Sequence, residues 1–168
     1  HCPIIHPQLA EITPFTGGHN DLISGPFLGG YMEMKKETIG ESGHFCGPPV
    51  GNLSPENLKR VYYYALFPNI LLSLHPDYVM MHTVWPEAVD KCRIECRWFF
   101  SGEVNQNDKF HPESAINFWD KTNQQDWDIC EQSYLGIQSR KYQPGPYSGQ
   151  ESLLAAYDEH YLSVLGYS

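Results

Sequence analysis

Residues 61–100 read VYYYALFPNILLSLHPDYVMMHTVWPEAVDKCRIECRWFF, and this stretch decides the fold. It divides into runs rich in β-branched and aromatic residues, each followed by a turn signal such as Pro68-Asn69 or His75-Pro76-Asp77. The short gaps between runs predict neighbouring antiparallel strands. We expect these strands at residues 61–67, 70–74, 78–84 and 91–100, with a further strand upstream at 31–38.

The sequence on either side of this region changes character. Helical periodicity predicts a long helix over 113–136, stopped by Gly136, and a last helix over 150–165. A short helix is expected to start at Pro7 and run to residue 12. Gly, Pro and small polar residues predict irregular segments, at 15–30, 40–57 and 142–149. Strands followed by long helices predict an α+β domain, with an antiparallel sheet packed on a long helix.

Composition excludes several classes of protein. The 168 residues carry a net charge of -9 and no basic run, which argues against nucleic acid as a partner. No apolar run approaches the ~20 residues of a membrane-spanning helix. The odd number of cysteines and the ~13 Å between Cys92 and Cys96 on one strand predict buried free thiols in a cytoplasmic protein. The chain starts at His1 without an initiator Met, so we expect a processed form or a fragment.

One carboxylate on the predicted long helix faces its apolar stripe. The stripe is formed by Ile116, Trp119, Cys130 and Tyr134. Asp126 lies within about 40° of the centre of this stripe on a helical wheel, whereas Asp120, Glu131 and Asp128 lie farther away. A buried carboxylate needs a cation, a hydrogen-bond network or a metal. The alternative is that Asp126 lies at the edge of the stripe and reaches water or an arginine.

His1 and His6 form an H-x4-H pair that could provide two metal ligands. On an ideal helix the two would lie about 140° apart, but Pro3 and Pro7 break that geometry and allow both imidazoles to turn toward one point. Two histidines and one carboxylate, with other positions open, suit non-haem Fe(II) and O2 chemistry. Two alternatives remain: unrelated surface histidines, or a copper site that uses the free α-amine of His1, as in lytic polysaccharide monooxygenases.

Three segments together resemble one known family. HCPIIHP (1–7) resembles the iron-binding segment of Rieske non-haem iron ring-hydroxylating oxygenase alpha subunits. NQQDWDICEQSYLG (123–136) resembles the segment that completes the ligand triad, and residues 61–100 resemble the central sheet of the catalytic domain. The resemblance implies a helix-grip (Bet v 1-like) fold over 1–168, a single catalytic domain. It also implies Fe(II) held by His1, His6 and Asp126, with metal–ligand distances of ~2.0–2.3 Å.

The resemblance further implies a second cofactor and several partners. Electrons would come from a Rieske [2Fe–2S] cluster, itself supplied by a reductase or ferredoxin, within a homotrimer. Such a cluster needs two cysteines and two histidines, usually spaced as C-x-H and C-x2-H, and neither spacing occurs here. We therefore expect the N-terminal Rieske domain to be absent from this chain, which should bind iron but be inactive alone.

The substrate is the least constrained part of the prediction. The expected reaction is hydroxylation or oxidative demethylation of an aromatic or quaternary-ammonium compound with O2. The candidate substrate contacts are Met80, His82, Phe118 and Trp119, for which ordinary core packing is the alternative. The competing hypothesis for the whole domain is a metal-free helix-grip protein that binds a small ligand.

Overall fold

A computed structural model describes residues 1–14, 18–102 and 110–167. This part of the chain forms an α+β fold with four α-helices, one short 3-10 helix (Asn57–Lys59) and six strands. The helices are α1 (Cys2–Ile5), α2 (Pro7–Ile12), α3 (Pro112–Ile137) and α4 (Ser152–Val164). The strands are β1 (Gly18–Leu22), β2 (Phe27–Glu33), β3 (Arg60–Leu66), β4 (Ile70–Leu74), β5 (Tyr78–Ala88) and β6 (Lys91–Phe100).

The six strands form one curved antiparallel sheet in which each strand pairs with its neighbours in sequence, β1 to β6. The strands predicted within residues 61–100 are confirmed, apart from shifts of a few residues at their ends. The register aligns Tyr63, Ser73, Met80 and Trp98 in one row across β3 to β6. Since Met80 belongs to the core against α3, this row lies on the inner face of the sheet.

The prediction of an irregular segment at 15–30 was wrong for residues 18–22 and 27–30 and right for the turn at 23–26. Residues 18–22 form β1, and the strand expected at 31–38 starts earlier and ends at Glu33. Gly29 and Gly30 misled the prediction, because glycine usually weakens a strand. Here a Cβ at Gly29 would lie 2.0 Å from the Tyr63 carbonyl oxygen, and a Cβ at Gly30 would lie 1.9 Å from that of His19. Both glycines therefore allow the close backbone approach that pairs β2 with its two neighbours.

The fully buried residues of α3 all lie in its first half. Its buried residues are Ala115, Phe118, Trp119, Thr122 and Asn123. The Trp119 indole N–H donates to the Tyr78 hydroxyl at 2.7 Å, and that hydroxyl donates to the Ile39 carbonyl at 2.7 Å. The predicted apolar stripe is wrong beyond this point, because Cys130 and Tyr134 are exposed. The helix also continues through Gly136, which lies in its last turn rather than after it.

The last helix, α4, packs at the other end of the sheet, beside the turn between β3 and β4. Its Tyr157, His160 and Tyr161 rings surround Phe67 at centroid distances of 4.8–6.3 Å. The Tyr157 hydroxyl donates to the Pro68 carbonyl oxygen at 2.7 Å. No helix in the described part of the chain is both long and apolar enough to cross a membrane.

The cysteines are free among the described residues, but the expectation that they are buried was mostly wrong. Cys46 is buried, Cys2 and Cys96 are half-buried, and Cys92 and Cys130 are exposed. Cys92 lies at the far end of the β5–β6 ribbon and Cys130 lies in the second half of α3, which has no fully buried residue, so neither reaches the core.

The buried carboxylate of Asp77, in the turn before β5, forms hydrogen bonds with the segment that follows β2. Asp77 is fully buried and accepts hydrogen bonds from the Thr38 hydroxyl and the Cys46 backbone N–H, both at 2.6 Å. The Cys46 carbonyl in turn accepts from the His111 N–H, at the start of α3. This chain of contacts fixes the position at which α3 begins relative to the sheet. Burial raises the pKa of Asp77, and its two hydrogen-bond donors oppose that rise.

Replacing Thr38 with valine is expected to destabilise the protein by about 1–3 kcal/mol, because one buried carboxylate oxygen loses its donor. Urea unfolding followed by tryptophan fluorescence measures this change. Thr83→Val is the matched control, since Thr83 is also buried and its hydroxyl forms no hydrogen bond with a described residue. Equal stabilities for the two variants would contradict the role of Asp77 as a structural acceptor.

Candidate metal centre

Two short helices with a sharp junction position both histidines. His6 caps the end of α1 and the start of α2, with φ -123° and ψ 62°, outside helical values. Its N–H still donates to the Cys2 carbonyl at 2.8 Å, while Pro7 occupies the first position of α2. This break turns the His6 ring inward, where its side chain is 2% exposed, and leaves His1 half exposed on the outside.

The three predicted ligands converge between this junction and α3. The Nε2 atoms of His1 and His6 lie 3.0 Å apart. Asp126 Oδ1 lies 3.1 Å from His1 Nε2 and 2.8 Å from His6 Nε2. Among the described residues, His1, His6 and Asp126 are also the three His, Cys, Asp or Glu side chains whose ligand atoms lie close enough together to share one metal ion.

The spacing of the three atoms is informative by itself. The three separations of 2.8–3.1 Å are hydrogen-bond distances, and they are also short enough for one ion to contact all three atoms. Two imidazole nitrogens and one carboxylate oxygen are the donors typical of non-haem Fe(II) sites. The donor set therefore fits a divalent metal such as Fe(II).

The carboxylate of Asp126 is paired with the two imidazoles. Within the described residues, its carboxylate pairs with His1 and His6 and with no lysine or arginine. Its side chain is 43% exposed, so it lies outside the buried core. Asp120 and Asp128, the neighbouring acids on α3, are exposed. The helical wheel therefore ranked the acids correctly, although half of its stripe was wrong.

The residue before Asp126 completes the environment of His6. His6 Nδ1 donates to the Gln125 Oε1 atom at 2.8 Å. Sequence reasoning missed this contact because a polar residue at a helix margin carries no pattern. The available signal was its position beside Asp126, since a residue one step along a helix points about 100° away and can reach the other edge of the same ring.

Of the four predicted substrate contacts, Met80, Phe118 and Trp119 are buried in the core between the sheet and α3, and His82 is half-buried. His82 Nε2 bonds to the Asn123 Oδ1 atom at 3.1 Å, one helical turn before Asp126, and burial lowers the pKa of His82. Met80 is 1% exposed in the same row as Tyr63. Phe118 and Trp119 lie about two turns from Asp126, roughly 10–12 Å along the axis. As substrate contacts, all four remain predictions.

Two aromatic side chains on the inner face carry buried polar atoms that have no hydrogen-bond partner among the described residues. These atoms are the Tyr63 hydroxyl and the Trp98 indole nitrogen. Burial raises the pKa of Tyr63 far above its usual range, so its hydroxyl stays a neutral donor. Sequence reasoning missed both residues individually, since tyrosine and tryptophan in a strand predict only core packing.

Comparison with known proteins gives one consistent result. The family model for the ring-hydroxylating alpha subunit (catalytic domain) matches residues 1–166. The glycine betaine monooxygenase oxygenase subunits of two Pseudomonas aeruginosa strains, UCBPP-PA14 and PAO1, are each 26% identical over 170 residues. Each alignment covers 94% of this chain. The corresponding subunit of Chromohalobacter salexigens is 26% identical over 136 residues, which is 79% of this chain.

The chain matches only part of each relative. The alignments cover 38% of the two Pseudomonas proteins and 28% of the Chromohalobacter protein. The similarity to these relatives therefore concerns one region of a longer oxygenase subunit, and the family match over residues 1–166 includes His1, His6 and Asp126.

Proposed function

Because the chain belongs to the family of ring-hydroxylating alpha subunit catalytic domains, we propose that it is the mononuclear-iron domain of an oxygenase. Its expected reaction is the oxidative demethylation of a small quaternary ammonium compound. Hydroxylation of an aromatic ring is the second candidate, favoured by the family description alone.

The observation that carries this proposal is the convergence of the ligand atoms of His1, His6 and Asp126 within 3.1 Å of one another. A metal-free carrier has no reason to bring two imidazole nitrogens and a carboxylate oxygen so close together. In this proposal the two neutral imidazoles and the single carboxylate leave Fe(II) with net positive charge and with open positions for O2 and water.

The residues of the chain would each contribute to a reaction that consumes O2. One oxygen atom enters a C–H bond of a substrate methyl group, and two electrons and two protons reduce the other to water. Bound iron supplies the activation of O2. The inner face of the sheet would hold the methyl group near the cluster and exclude bulk water, because its residues there are buried and mostly apolar.

Two observations support a quaternary ammonium substrate. The relatives at 26% identity are named as glycine betaine monooxygenase subunits, and glycine betaine carries both a trimethylated nitrogen and a carboxylate. The rings of Tyr63 and Trp98 can attract an ammonium group through their π faces. Their unpaired hydroxyl and indole N–H can hydrogen-bond to a carboxylate, which would remove the cost of leaving them unsatisfied.

The remaining partners follow from the family. We infer that the two electrons come from a Rieske [2Fe–2S] cluster held outside these 168 residues, recharged by a reductase directly or through a ferredoxin. We also infer a cytoplasmic homotrimer in which the cluster of one subunit serves the iron of its neighbour.

The test is turnover by the complete gene product with an electron donor and iron. With glycine betaine or another N-methylated ammonium compound, we expect formaldehyde and the demethylated amine in equal amounts, coupled to O2 consumption. The Tyr63→Phe and Trp98→Phe variants should raise KM more than they lower kcat, because they remove contacts to the substrate rather than to iron.

Three results would redirect the proposal. Diols from an aromatic substrate, without formaldehyde from any amine, would favour the ring-hydroxylating candidate. Tight binding of a small ligand by protein that takes up no iron would favour the metal-free carrier. Iron binding that survives loss of His1, His6 and Asp126 together would place the metal elsewhere.

A further inference from the structure

The two ring nitrogens of His6 contact two consecutive residues of α3. Its Nε2 faces Asp126 Oδ1 and its Nδ1 faces Gln125 Oε1, both at 2.8 Å. Since consecutive helical residues point about 100° apart, α3 reaches around both sides of one imidazole. The ring is 2% exposed, so these two contacts, and not solvent, determine its orientation.

We propose that Gln125 is the positioning residue that fixes the tautomer of His6 and holds its Nε2 lone pair toward the metal. This inference rests on the proposed function, because it requires a metal at the cluster. An amide oxygen only accepts hydrogen bonds, so its contact with Nδ1 places the proton of the neutral imidazole there. The other nitrogen, Nε2, is then left with a free lone pair, which is the form that binds a metal.

The opposite arrangement of the amide would prevent ligation. If Gln125 presented its NH2 group instead, Nδ1 would accept and the proton would move to Nε2, where it would point at Asp126. The side-chain oxygen of Gln125 therefore determines whether His6 Nε2 is a metal ligand or a hydrogen-bond donor.

His1 has no comparable support. Its Nδ1 forms no hydrogen bond with a described residue, and its side chain is 51% exposed. His6 is thus the pre-oriented imidazole of the pair, and removal of its support should affect metal binding strongly. Interactions that orient a metal-binding histidine typically change metal affinity 10–100-fold when they are lost.

The test compares three variants of the complete gene product. Gln125→Leu removes the acceptor at similar size, Gln125→Glu keeps an oxygen acceptor at the same place, and Gln124→Leu is the matched control. Gln124 is the exposed preceding residue of α3 and makes no contact with His6. Affinity for Fe(II) is measured anaerobically against a chelator, and the Co(II) form gives a visible d–d spectrum that reports ligand geometry.

We expect Gln125→Leu to weaken Fe(II) binding roughly 10–100-fold and to change the Co(II) spectrum. Gln125→Glu should restore affinity to within a few-fold of the parent protein, and Gln124→Leu should match the parent in both measurements. Metal-free thermal melting should be similar for all three, because Gln125 is only half-buried.

Several outcomes would overturn the inference. Parent-like Fe(II) affinity in Gln125→Leu would show that the hydrogen bond does not orient the ligand. Equal weakening in Gln125→Glu or in Gln124→Leu would show a general disturbance of α3 instead. If the parent protein bound no divalent metal, the proposed function itself would be refuted. That result can be told apart from the other outcomes, because in each of those the parent protein still binds metal.

Discussion

The Asp126→Ala variant is expected to lose most of its affinity for Fe(II), by roughly 100-fold or more, and to lose turnover in the complete enzyme. Loss of a group that merely orients a ligand costs 10–100-fold, so loss of a ligand should cost at least the upper part of that range. The fold should persist, since the carboxylate contacts only His1 and His6 among the described residues. Metal analysis and far-ultraviolet circular dichroism measure the two effects separately.

The same helix offers two matched controls for this prediction. Asp120→Ala and Asp128→Ala remove the same charge from exposed positions on α3, and both should retain iron. If Asp120→Ala lost iron while Asp126→Ala kept it, the assignment of the acid ligand would be wrong. If all three variants kept iron and activity, the cluster of His1, His6 and Asp126 would not be the metal site.

Asp126 shows how far periodicity alone can identify a site. The wheel placed it nearest the apolar stripe, and the structure brings it to both histidines. Yet Cys130 and Tyr134, half of that stripe, are exposed. Periodicity defines a face of a helix, but only the length of the partner surface decides how much of that face is buried. Here the fully buried residues of α3 end at Asn123, and Asp126 follows at a partly exposed position, where a polar side chain can lie on an apolar face.

The glycines of β2 mark a second limit of sequence reasoning. A strand interior is usually recognised by β-branched and aromatic residues, so the pair Gly29-Gly30 indicated a loop. Their role becomes visible only when β1 and β3 approach from both sides and leave no room for a side chain. The four strands from β3 to β6 were predictable because their own composition and turns define them.

His75 is a buried titratable group that no pattern indicated. It precedes Pro76 in a turn, yet its side chain is only 4% exposed. Its ring stacks on Tyr78 at 4.0 Å and meets the edge of Trp119 at 5.6 Å. Within residues 1–14, 18–102 and 110–167, neither ring nitrogen has a hydrogen-bond partner, and burial lowers the pKa of His75 to about 3. Folding therefore requires the neutral imidazole.

This requirement makes the stability of the protein depend on pH. An unfolded histidine binds a proton below its ordinary pKa of about 6.5, whereas folded His75 stays neutral down to about pH 3. In that window the unfolded state binds more protons, so stability falls as the pH falls. The loss approaches ~1.4 kcal/mol per pH unit, and roughly 4–5 kcal/mol over the whole window.

The His75→Phe variant is expected to lose this dependence and to gain stability. Phenylalanine keeps the stacked ring but has no nitrogen to leave unpaired, which should add about 1–3 kcal/mol at neutral pH. Between pH 7 and pH 5 the parent should lose about 2 kcal/mol more than the variant, measured by urea unfolding of metal-free protein. His19→Phe, at an exposed position on β1, should keep the parental dependence. Parallel stability curves for the parent and His75→Phe would mean that His75 is protonated or solvated in the folded protein.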